Sequence, residues 1–477
     1  MGVTTRGATA PVKPSEVRPL ERFTIRSVAG LLAVVGAGTG FGLLLLLVRL
    51  SWHPLERVDR GAADSLNRLA AGNSALVAVL KGISQLGGGA VLWWLVIVGA
   101  IGLLLRRQAL LAAYIVVTGL GALALDPTLK LLVGRLRPMV AEPVATAPGN
   151  SFPSGHALGS IVAYGALLLV FLPIIPRRFR GATIAATVAL VVAIGFTRVG
   201  LGVHYVSDVV AGWLLGVAWL GVTAYAFRVL RKELGKPVPP PTEGLAPEAA
   251  PALVPARAER PYHPWRAAAA LTVAWVLILG VLFGLGKLAT KYAPGFDDEI
   301  PKWFAARRSA GWTPWSFFWS QAGNTHAILG VSLIAAPLAV MATRRWRPLV
   351  FLAATMIGEI TLFLASANTL DRPRPPVTQM DGHLPTSSFP SGHVAATLCL
   401  YGAIAVLVFG RTRRWWRWVA VALAVLMPSL VAVARLYRGE HHPLDIAGGV
   451  LLALLWLTAA VFVVHPNADV GRSRVGG

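Results

Sequence analysis

Long apolar stretches recur along the whole chain, and they restrict its possible folds more than any other feature. A helix that crosses a membrane needs about 17–25 consecutive, predominantly apolar residues. The sequence holds twelve such stretches, at 28–50, 89–105, 109–131, 156–175, 181–197, 205–228, 267–287, 325–343, 348–367, 393–410, 416–434 and 442–464. Hydrophobic residues make up 55% of the chain and charged residues only 14%, which is outside the range of soluble domains. The sequence therefore predicts an all-α integral membrane protein.

The twelve stretches form two groups of six on either side of a proline-rich segment. This segment, "GKPVPPPTEGLAPEAAPALVPARAERPYHP", has no apolar periodicity, which is typical of a flexible, partly extended linker without a packed core. We therefore expect two six-span units at 28–231 and 266–465, with the linker at 232–265. Tails at 1–27 and 466–477 complete the predicted division.

The two groups of six spans repeat one another at a fixed distance in the sequence. The hexapeptide "SFPSGH" occurs at 151–156 and again 237 residues later, at 388–393. Without any gap, the same offset aligns Arg137 with Arg374, Arg198 with Arg435, His204 with His441, and Asp208 with Asp445. Because each unit has an even number of spans, the pattern indicates an internal duplication in parallel orientation.

Short clusters of arginine and lysine mark one side of the membrane. In the first half they are "LRRQ", "PRRFR" and "FRVLRK", which follow the second, fourth and sixth spans. The positive-inside rule makes these loops cytoplasmic, so both termini and the linker are predicted inside the cell. Both copies of "SFPSGH" then face the outside of the plasma membrane. Topology and anionic lipid headgroups account for the net charge of +23, and we expect no nucleic-acid partner.

The outer loop after the first span of each half has a pattern of its own. In the first half, "VDRGAADSLNRLAAGNSALVAVLKGISQLGG" is amphipathic. In the second half, "DEIPKWFAARRSAGWTPWSFFWSQAG" is rich in tryptophan and phenylalanine. We expect both loops to form helices that lie on the outer leaflet.

Polar residues at the outer ends of the spans have the chemistry of a phosphate site. Lys130, Arg137 and Arg198 supply positive charge for the equatorial oxygens of a transferring phosphoryl group. Ser154 and Gly155 open the fourth span, where free backbone N–H groups favour an anion. His204 and Asp208 are four residues apart, so on a helix they share one face and the carboxylate can orient the imidazole.

These residues belong to three ordered motifs, which read "KLLVGRLRP", "PSGH" and "RVGLGVHYVSD" in the first half. The motifs resemble the signature of the type-2 phosphatidic acid phosphatase superfamily, lipid phosphatases related to vanadium haloperoxidases. The first half matches every fixed position of K-x6-R-P, P-S-G-H and R-x5-H-x3-D. The resemblance implies two tandem six-helix phosphatase-like units that act on a membrane lipid.

The resemblance also implies a role for each motif residue. His204 is the expected nucleophile, which forms a phosphohistidine; Asp208 orients it, and His156 is the expected general acid. Substrate phosphate is expected to bind Lys130, Arg137, Ser154, Gly155 and Arg198. No metal or other cofactor is implied. A metal site at His156 and His204 is an alternative interpretation, but no further carboxylate or histidine cluster in the first half completes a coordination sphere.

The second half departs from the pattern at the position of the motif lysine. Lys130 aligns with Ala367, and Asp126, one helical turn earlier, aligns with Phe363. The remaining positions form a second candidate site, impaired relative to the first, at Arg374, Ser391, Gly392, His393, Arg435, His441 and Asp445. Glu440 and Arg438 are additional charges beside it, where the first half has Val203 and Leu201. Weak activity, altered specificity and a purely structural role all stay open for this half.

The substrate expected from the resemblance is a phosphate or diphosphate ester of an amphiphile. Polyprenyl diphosphate, phosphatidic acid and phosphatidylglycerol phosphate are the three candidates. A phosphotransferase that uses an alcohol acceptor would need the same residues, and a twelve-span transporter or a non-catalytic scaffold are alternatives from other classes. A vanadate-dependent peroxidase is a more distant one. The sequence does not indicate the oligomeric state.

Overall fold

The computed structural model describes residues 19–255, 263–292, 295–382 and 386–468. These residues form helices, turns and loops, with no β-strand among them. Their contacts divide the chain into two compact units, Met1–Leu253 and Val254–Gly477. Most of the two predicted tails, and residues 256–262 of the predicted linker, lie outside the described residues.

Besides three 3-10 helices, the described part of the first unit contains eight long α-helices and one short one. They are α1 (Pro19–Arg49), α2 (His53–Ala71), α3 (Ser74–Leu86), α4 (Gly89–Leu105), α5 (Ala109–Val133), α6 (Gly155–Phe171), α7 (Arg177–Gly200), α8 (Val206–Glu233) and the short α9 (Ala250–Leu253).

The second unit repeats this order of helices. They are α10 (Pro264–Tyr292), α11 (Glu299–Ala305), α12 (Trp312–Ala322), α13 (Thr325–Thr343), α14 (Arg347–Thr369), α15 (Gly392–Arg411), α16 (Trp416–Tyr437) and α17 (Pro443–Val464).

Twelve helical stretches in the described part of the chain are long and apolar enough to cross a membrane. Ten of them lie within single helices. Of the other two, Gly155–Ile174 combines α6 with a 3-10 helix at Leu172–Ile174, and Ser74–Leu105 joins α3 to α4 across Gly87 and Gly88. The prediction of an all-α protein with twelve spans in two groups of six is therefore confirmed. Most of these helices expose large apolar side chains, which is what a lipid environment requires.

The amphipathic outer loops are helical, as predicted. In α2 the buried residues are Asp59, Ala63, Asn67 and Ala70, which lie on one face because they are spaced by three or four positions. In the second unit, α11 and α12 occupy the corresponding loop. The location of these helices on the outer leaflet stays a prediction.

The linker differs from the expectation of an extended segment without a packed core. Leu245, Ala246 and Ala249 are buried in the apolar core of the first unit, together with Leu111 and Phe227. The Leu245 amide also donates to the carbonyl of Leu169 at 2.9 Å. Three apolar side chains are enough to dock this part of the linker, although the prolines before it prevent a long helix.

Candidate active site

The predicted site residues of the first unit meet where two helices end and two others begin. Lys130 lies in the last turn of α5, and Arg198 lies in the last turn of α7. Ser154 caps α6, and Asp208 lies in the first turn of α8. The Ser154 amide donates to the carbonyl of Asp208 at 2.9 Å, which joins the second motif directly to the third.

A left-handed turn presents His204 to this site. Gly202 has a φ of +71° and is followed by a loop that ends at Tyr205, the residue before α8. A Cβ at Gly202 would lie 2.9 Å from Cγ2 of Val140, so both the conformation and the space require glycine. The expectation that His204 and Asp208 share a helical face is therefore wrong, since His204 precedes the helix.

The histidine and the carboxylate nevertheless face each other. Nδ1 of His204 lies 3.4 Å from Oδ2 of Asp208, longer than an ordinary hydrogen bond. The same Oδ2 accepts the Tyr205 amide at 2.9 Å, which is the bond that caps α8. Asp208 thus has two roles in the structure, because it caps the start of α8 and also faces the imidazole of His204.

The other nitrogen of His204 points to an arginine. Nη1 of Arg137 lies 3.1 Å from Nε2 of His204 and donates to the carbonyl of Val203 at 2.7 Å. Guanidinium groups can only donate, so Nε2 must accept, and the ring proton is placed on Nδ1 toward Asp208. This tautomer leaves the lone pair of Nε2 on the side of the cationic residues.

Burial keeps His204 neutral. Removal from water lowers the pKa of this imidazole, Asp208 opposes the shift, and Arg137 and Arg198 add to it. The side chain is 2% exposed. A neutral imidazole with an unprotonated Nε2 has the protonation state of a nucleophile at neutral pH.

The cationic side chains retain unused donors. Nζ of Lys130 pairs with Oδ2 of Asp126 at 2.8 Å, as the spacing of four residues predicts. Nη1 of Arg198 donates to the Ser84 hydroxyl at 2.6 Å, while its Nε is buried without a partner among the described residues. The Ser154 hydroxyl is buried in the same unpaired state. A buried polar group without a hydrogen-bond partner costs free energy, and an anion bound here would supply the missing partner.

His156 lies in the first turn of α6, directly after Gly155. It is within electrostatic range of Lys130, Arg137, Arg198 and His204. Asp126 packs so close to Gly155 that a Cβ there would lie 2.7 Å from Oδ1 of the carboxylate. Gly155 is therefore needed for this approach as well as for the predicted approach of a phosphate.

A cavity of about 300 Å³ opens beside these residues, between α4, α5 and α6. Lys130, Asp126 and His156 line its polar part. Apolar residues of the three spans, including Trp93 and Val162, line the rest. A ligand with a charged head and an apolar body fits this division of the lining.

Two charged residues that the motif reasoning missed hold Asp208 in place. Nη1 of Arg135 donates to Oδ1 of Asp208 at 2.7 Å, and Nη2 donates to Oδ2 of Asp59 at 2.8 Å. Asp59 also accepts the Ser207 amide at 2.9 Å. The repeat contained a signal for Arg135, because the offset of 237 aligns it with Arg372.

The second unit keeps the same supporting network. Arg372 binds both Asp445 and Asp297, and Asp297 accepts the Leu444 amide at 3.1 Å. The Ser391 amide donates to the Asp445 carbonyl at 2.9 Å, as its counterpart does in the first unit. The frame that brings the three motifs together is thus present twice.

His441, which aligns with His204, has different contacts from its counterpart in the first unit. Nδ1 of His441 lies 2.8 Å from the carbonyl of Ser388 and 3.8 Å from Oδ2 of Asp445. Burial lowers the pKa of His441 to about 4. His442 also contacts Asp445 through Nδ1 at 3.1 Å, so a second imidazole competes for this carboxylate.

The remaining second-unit positions lie around this histidine. Arg435 binds the Ser320 hydroxyl at 2.9 Å, and His393 is within electrostatic range of Arg374, Arg435 and His441. Ala367 is buried at the lysine position. The ring of Phe363 packs on Gly392 where the first unit has Asp126 on Gly155. Among the described residues, the second unit therefore has no lysine or arginine at the positions of Lys130 and Asp126.

Comparison with known proteins finds the same family twice in the chain. The PAP2 superfamily profile matches residues 108–232 and 346–469. Phosphatidylglycerophosphatase B of Bacillus subtilis is 31% identical over 142 residues, which cover 29% of this chain and 69% of that protein. Decaprenylphosphoryl-5-phosphoribose phosphatase of Mycobacterium tuberculosis is 36% identical over 174 residues, 34% of this chain and 88% of that protein.

One solved structure is also similar. It is the crystal structure of a transmembrane PAP2-type phosphatidylglycerolphosphate phosphatase from Bacillus subtilis, with 22% sequence identity and a TM-score of 0.38. The similarity covers 43% of this chain and 98% of that one.

Proposed function

The chain belongs to the PAP2 superfamily, and we propose that its first unit hydrolyses a phosphate or diphosphate ester of an amphiphilic lipid. The observation that carries this proposal is the contact of Arg137 with Nε2 of His204. It joins the cationic residues to a neutral imidazole whose lone pair faces them. A phosphorus atom held by those cations would lie beside a nucleophile.

In the first proposed step, Nε2 of His204 attacks phosphorus while the bond from phosphorus to the lipid oxygen breaks. Lys130, Arg137 and Arg198 stabilise the charge on the equatorial oxygens. His156, whose protonated form the negative charge of the bound phosphate favours, donates its proton to the departing lipid oxygen. The Nδ1 proton of His204 stays on the ring, and Asp208 stabilises the resulting positive charge.

In the second proposed step, water attacks the phosphohistidine and the bond between phosphorus and Nε2 breaks. His156, which lost its proton in the first step, accepts one from this water and returns to its starting state. Inorganic phosphate leaves, and His204 is again neutral. No metal takes part in either step.

The lining of the cavity supports an amphiphilic substrate. Its polar part contains Lys130 and His156, and its larger apolar part lies between spans where a hydrocarbon chain avoids water. The two relatives are a phosphatidylglycerophosphatase and a decaprenylphosphoryl-5-phosphoribose phosphatase. We therefore keep polyprenyl diphosphate, phosphatidic acid and phosphatidylglycerol phosphate as candidate substrates.

The proposed site faces the outside of the plasma membrane. The support for this orientation is the arginine pattern of the loops, which makes the opposite ends of the spans cytoplasmic. Both termini are then cytoplasmic, and the proposed substrate is a lipid whose phosphate is in the outer leaflet.

The test is phosphate release by the full-length protein in detergent from the three candidate lipids, with and without a metal chelator. We expect release of inorganic phosphate from at least one lipid, unchanged by the chelator. Activity that the chelator abolishes and one divalent ion restores would contradict the metal-free steps. A phosphorylated alcohol in place of inorganic phosphate would show transfer to an acceptor instead of hydrolysis.

A further inference from the structure

Two carboxylates lie among the arginines of the second unit. Glu440 is completely buried and directly precedes His441. Asp381 belongs to the loop between α14 and α15. At the repeat offset of 237, the first unit has Val203 and Val144 at these positions, so both carboxylates are additions to the pattern.

Glu440 lies between the two arginines that align with Arg137 and Arg198. Its Oε2 is 3.5 Å from Nη1 of Arg374 and 3.6 Å from Nη2 of Arg435. Its Oε1 accepts the Asp381 amide at 2.9 Å, which fixes the orientation of the carboxylate. Glu440 therefore occupies the space between the two guanidinium groups.

Asp381 binds the other side of the same arginine. Its Oδ2 accepts from Nη1 of Arg435 and from the Ser320 hydroxyl, and its Oδ1 accepts from Nε of Arg438 at 2.6 Å. Burial opposes ionisation of this carboxyl, but Arg438 and Arg435 outweigh it and lower the pKa of Asp381. Arg435 thus binds Asp381 through Nη1 and faces Glu440 through Nη2, at an ion-pair distance of 3.6 Å without a hydrogen bond.

The two equivalent arginines of the first unit, Arg137 and Arg198, have no such carboxylate partners among the described residues. Arg137 binds three backbone carbonyls and His204, while Arg198 binds the Ser84 hydroxyl. Within the described ranges, neither forms an ion pair with a carboxylate. The same two positions are therefore open to an anion in the first unit and neutralised in the second.

We propose that the second unit does not hydrolyse lipid phosphates because Glu440 and Asp381 fill its phosphate position with the chain's own carboxylates. This proposal rests on the proposed function of the first unit, which defines where phosphate binds. An incoming phosphate would meet the buried carboxylate of Glu440, the half-buried carboxylate of Asp381 and arginines that already form ion pairs with them. Ala367 adds no cation to offset them. The second unit retains the frame of the fold through Arg372, Asp297 and Asp445, and its role is to support the protein.

Binding of orthovanadate, an analogue of the transferring phosphoryl group, tests the proposal in the full-length protein. We compare the wild type with the double variant Asp381→Asn, Glu440→Gln, which keeps side-chain size and removes both charges. The variant leaves Arg374, Arg435 and Arg438 without carboxylate partners. By calorimetric titration, we expect one vanadate per chain for the wild type and two for the variant.

The outcomes distinguish this proposal from the proposed function. Two vanadates bound to the wild type, or no gain in the variant, would overturn the inference. A gain of one vanadate in a protein that releases phosphate from no lipid would support the inference and contradict the proposed function. Size-exclusion chromatography shows whether the variant is folded, and vanadate should raise its Tm if the new site is real.

A carboxylate introduced at the equivalent position of the first unit tests the same proposal without changing the second unit. Val203→Glu places a carboxylate where Glu440 lies, and Val203→Gln is its matched uncharged control. We expect Val203→Glu to release lipid phosphate at least about tenfold more slowly than Val203→Gln, because the new charge would pair with Arg137 and Arg198. Equal rates in the two variants would overturn the proposal.

Discussion

Nη1 of Arg137 lies 3.1 Å from Nε2 of His204 and also donates to the carbonyl of Val203, a bond that the equivalent Arg374 of the second unit repeats with the carbonyl of Glu440 at 2.6 Å. The first contact requires a lone pair on Nε2, because arginine has no acceptor. It therefore places the lone pair for the proposed attack on Nε2. The same contact makes Arg137 part of both the proposed phosphate site and the orientation of the proposed nucleophile.

The contact of Arg135 with Asp208 predicts a positioning role for a residue outside the three motifs. Arg135→Lys keeps the charge but loses the fork that binds both Asp208 and Asp59. We expect kcat to fall by about 10–100-fold with little change in KM, because Asp208 would orient His204 less well. Steady-state kinetics on a lipid phosphate measures this difference.

The matched control for Arg135→Lys is Arg372→Lys, which makes the same change in the second unit. If Arg135 were only a structural residue, both variants would lose stability alike and would lose activity in proportion to folded protein. A KM increase without loss of kcat in Arg135→Lys would also contradict the positioning role.

The protonation of His204 predicts the acid side of the pH profile. Burial lowers the pKa of this imidazole, so it stays neutral to a lower pH than a free histidine, and kcat/KM should fall only below about pH 6.5. Asp208 raises the pKa, whereas Arg137 and Arg198 lower it. Removing the Asp208 charge should therefore move the acid limb to lower pH, and removing the Arg137 charge should move it to higher pH.

The measurement is kcat/KM from about pH 4 to pH 8 for the wild type, Asp208→Asn and Arg137→Gln. Both variants are expected to have low activity. The comparison therefore uses the pH at which kcat/KM falls and not the maximal value of kcat/KM. Both variants keep His156 and Lys130, and because Arg137 also lies within electrostatic range of His156, Asp208→Asn is the variant that acts on His204 more selectively. Shifts of the two variants in the same direction would contradict the assignment of the limb to His204.

The predicted orientation in the membrane can be tested with single cysteines. Glu142 is an exposed residue in the loop between α5 and α6, and Thr242 is exposed in the linker. In intact cells, an impermeant thiol reagent should label Glu142→Cys and leave Thr242→Cys unlabelled. The native Cys399 is buried and gives little background. Labelling of Thr242→Cys alone would invert the topology and place the site on the cytoplasmic side.

Local patterns allowed much of the fold and part of the site to be predicted. Span positions depend on the length and polarity of continuous segments, so all twelve were found. The Lys130–Asp126 pair depends on a spacing of four residues within one helix. The Asp59–Arg135 contact joins residues 76 positions apart, and no motif includes Asp59. The arrangement of Glu440 and Asp381 around Arg435 likewise depends on tertiary packing, although the sequence showed that Glu440 is an addition.

The linker is a second case in which the local sequence pattern did not predict tertiary packing. Its composition indicated an unpacked segment, yet Leu245, Ala246 and Ala249 find a complementary apolar surface on the first unit. Composition describes the average behaviour of a segment, whereas burial depends on whether a few side chains meet a partner surface.

The two equivalent histidines provide the most direct comparison of the halves. His204→Ala removes the proposed nucleophile, and we expect it to lower phosphate release by roughly a thousandfold or more. His441→Ala should cause a far smaller loss, because Arg374 and Arg435 are already paired with Glu440 and Asp381 and the site lacks the lysine. The double variant should be no less active than His204→Ala within the error of the assay. Each protein is measured on one lipid substrate after its Tm and oligomeric homogeneity have been matched to the wild type. Equal losses from the two single variants would show that both halves are needed for turnover, and a larger loss from His441→Ala would move the principal active site to the second unit.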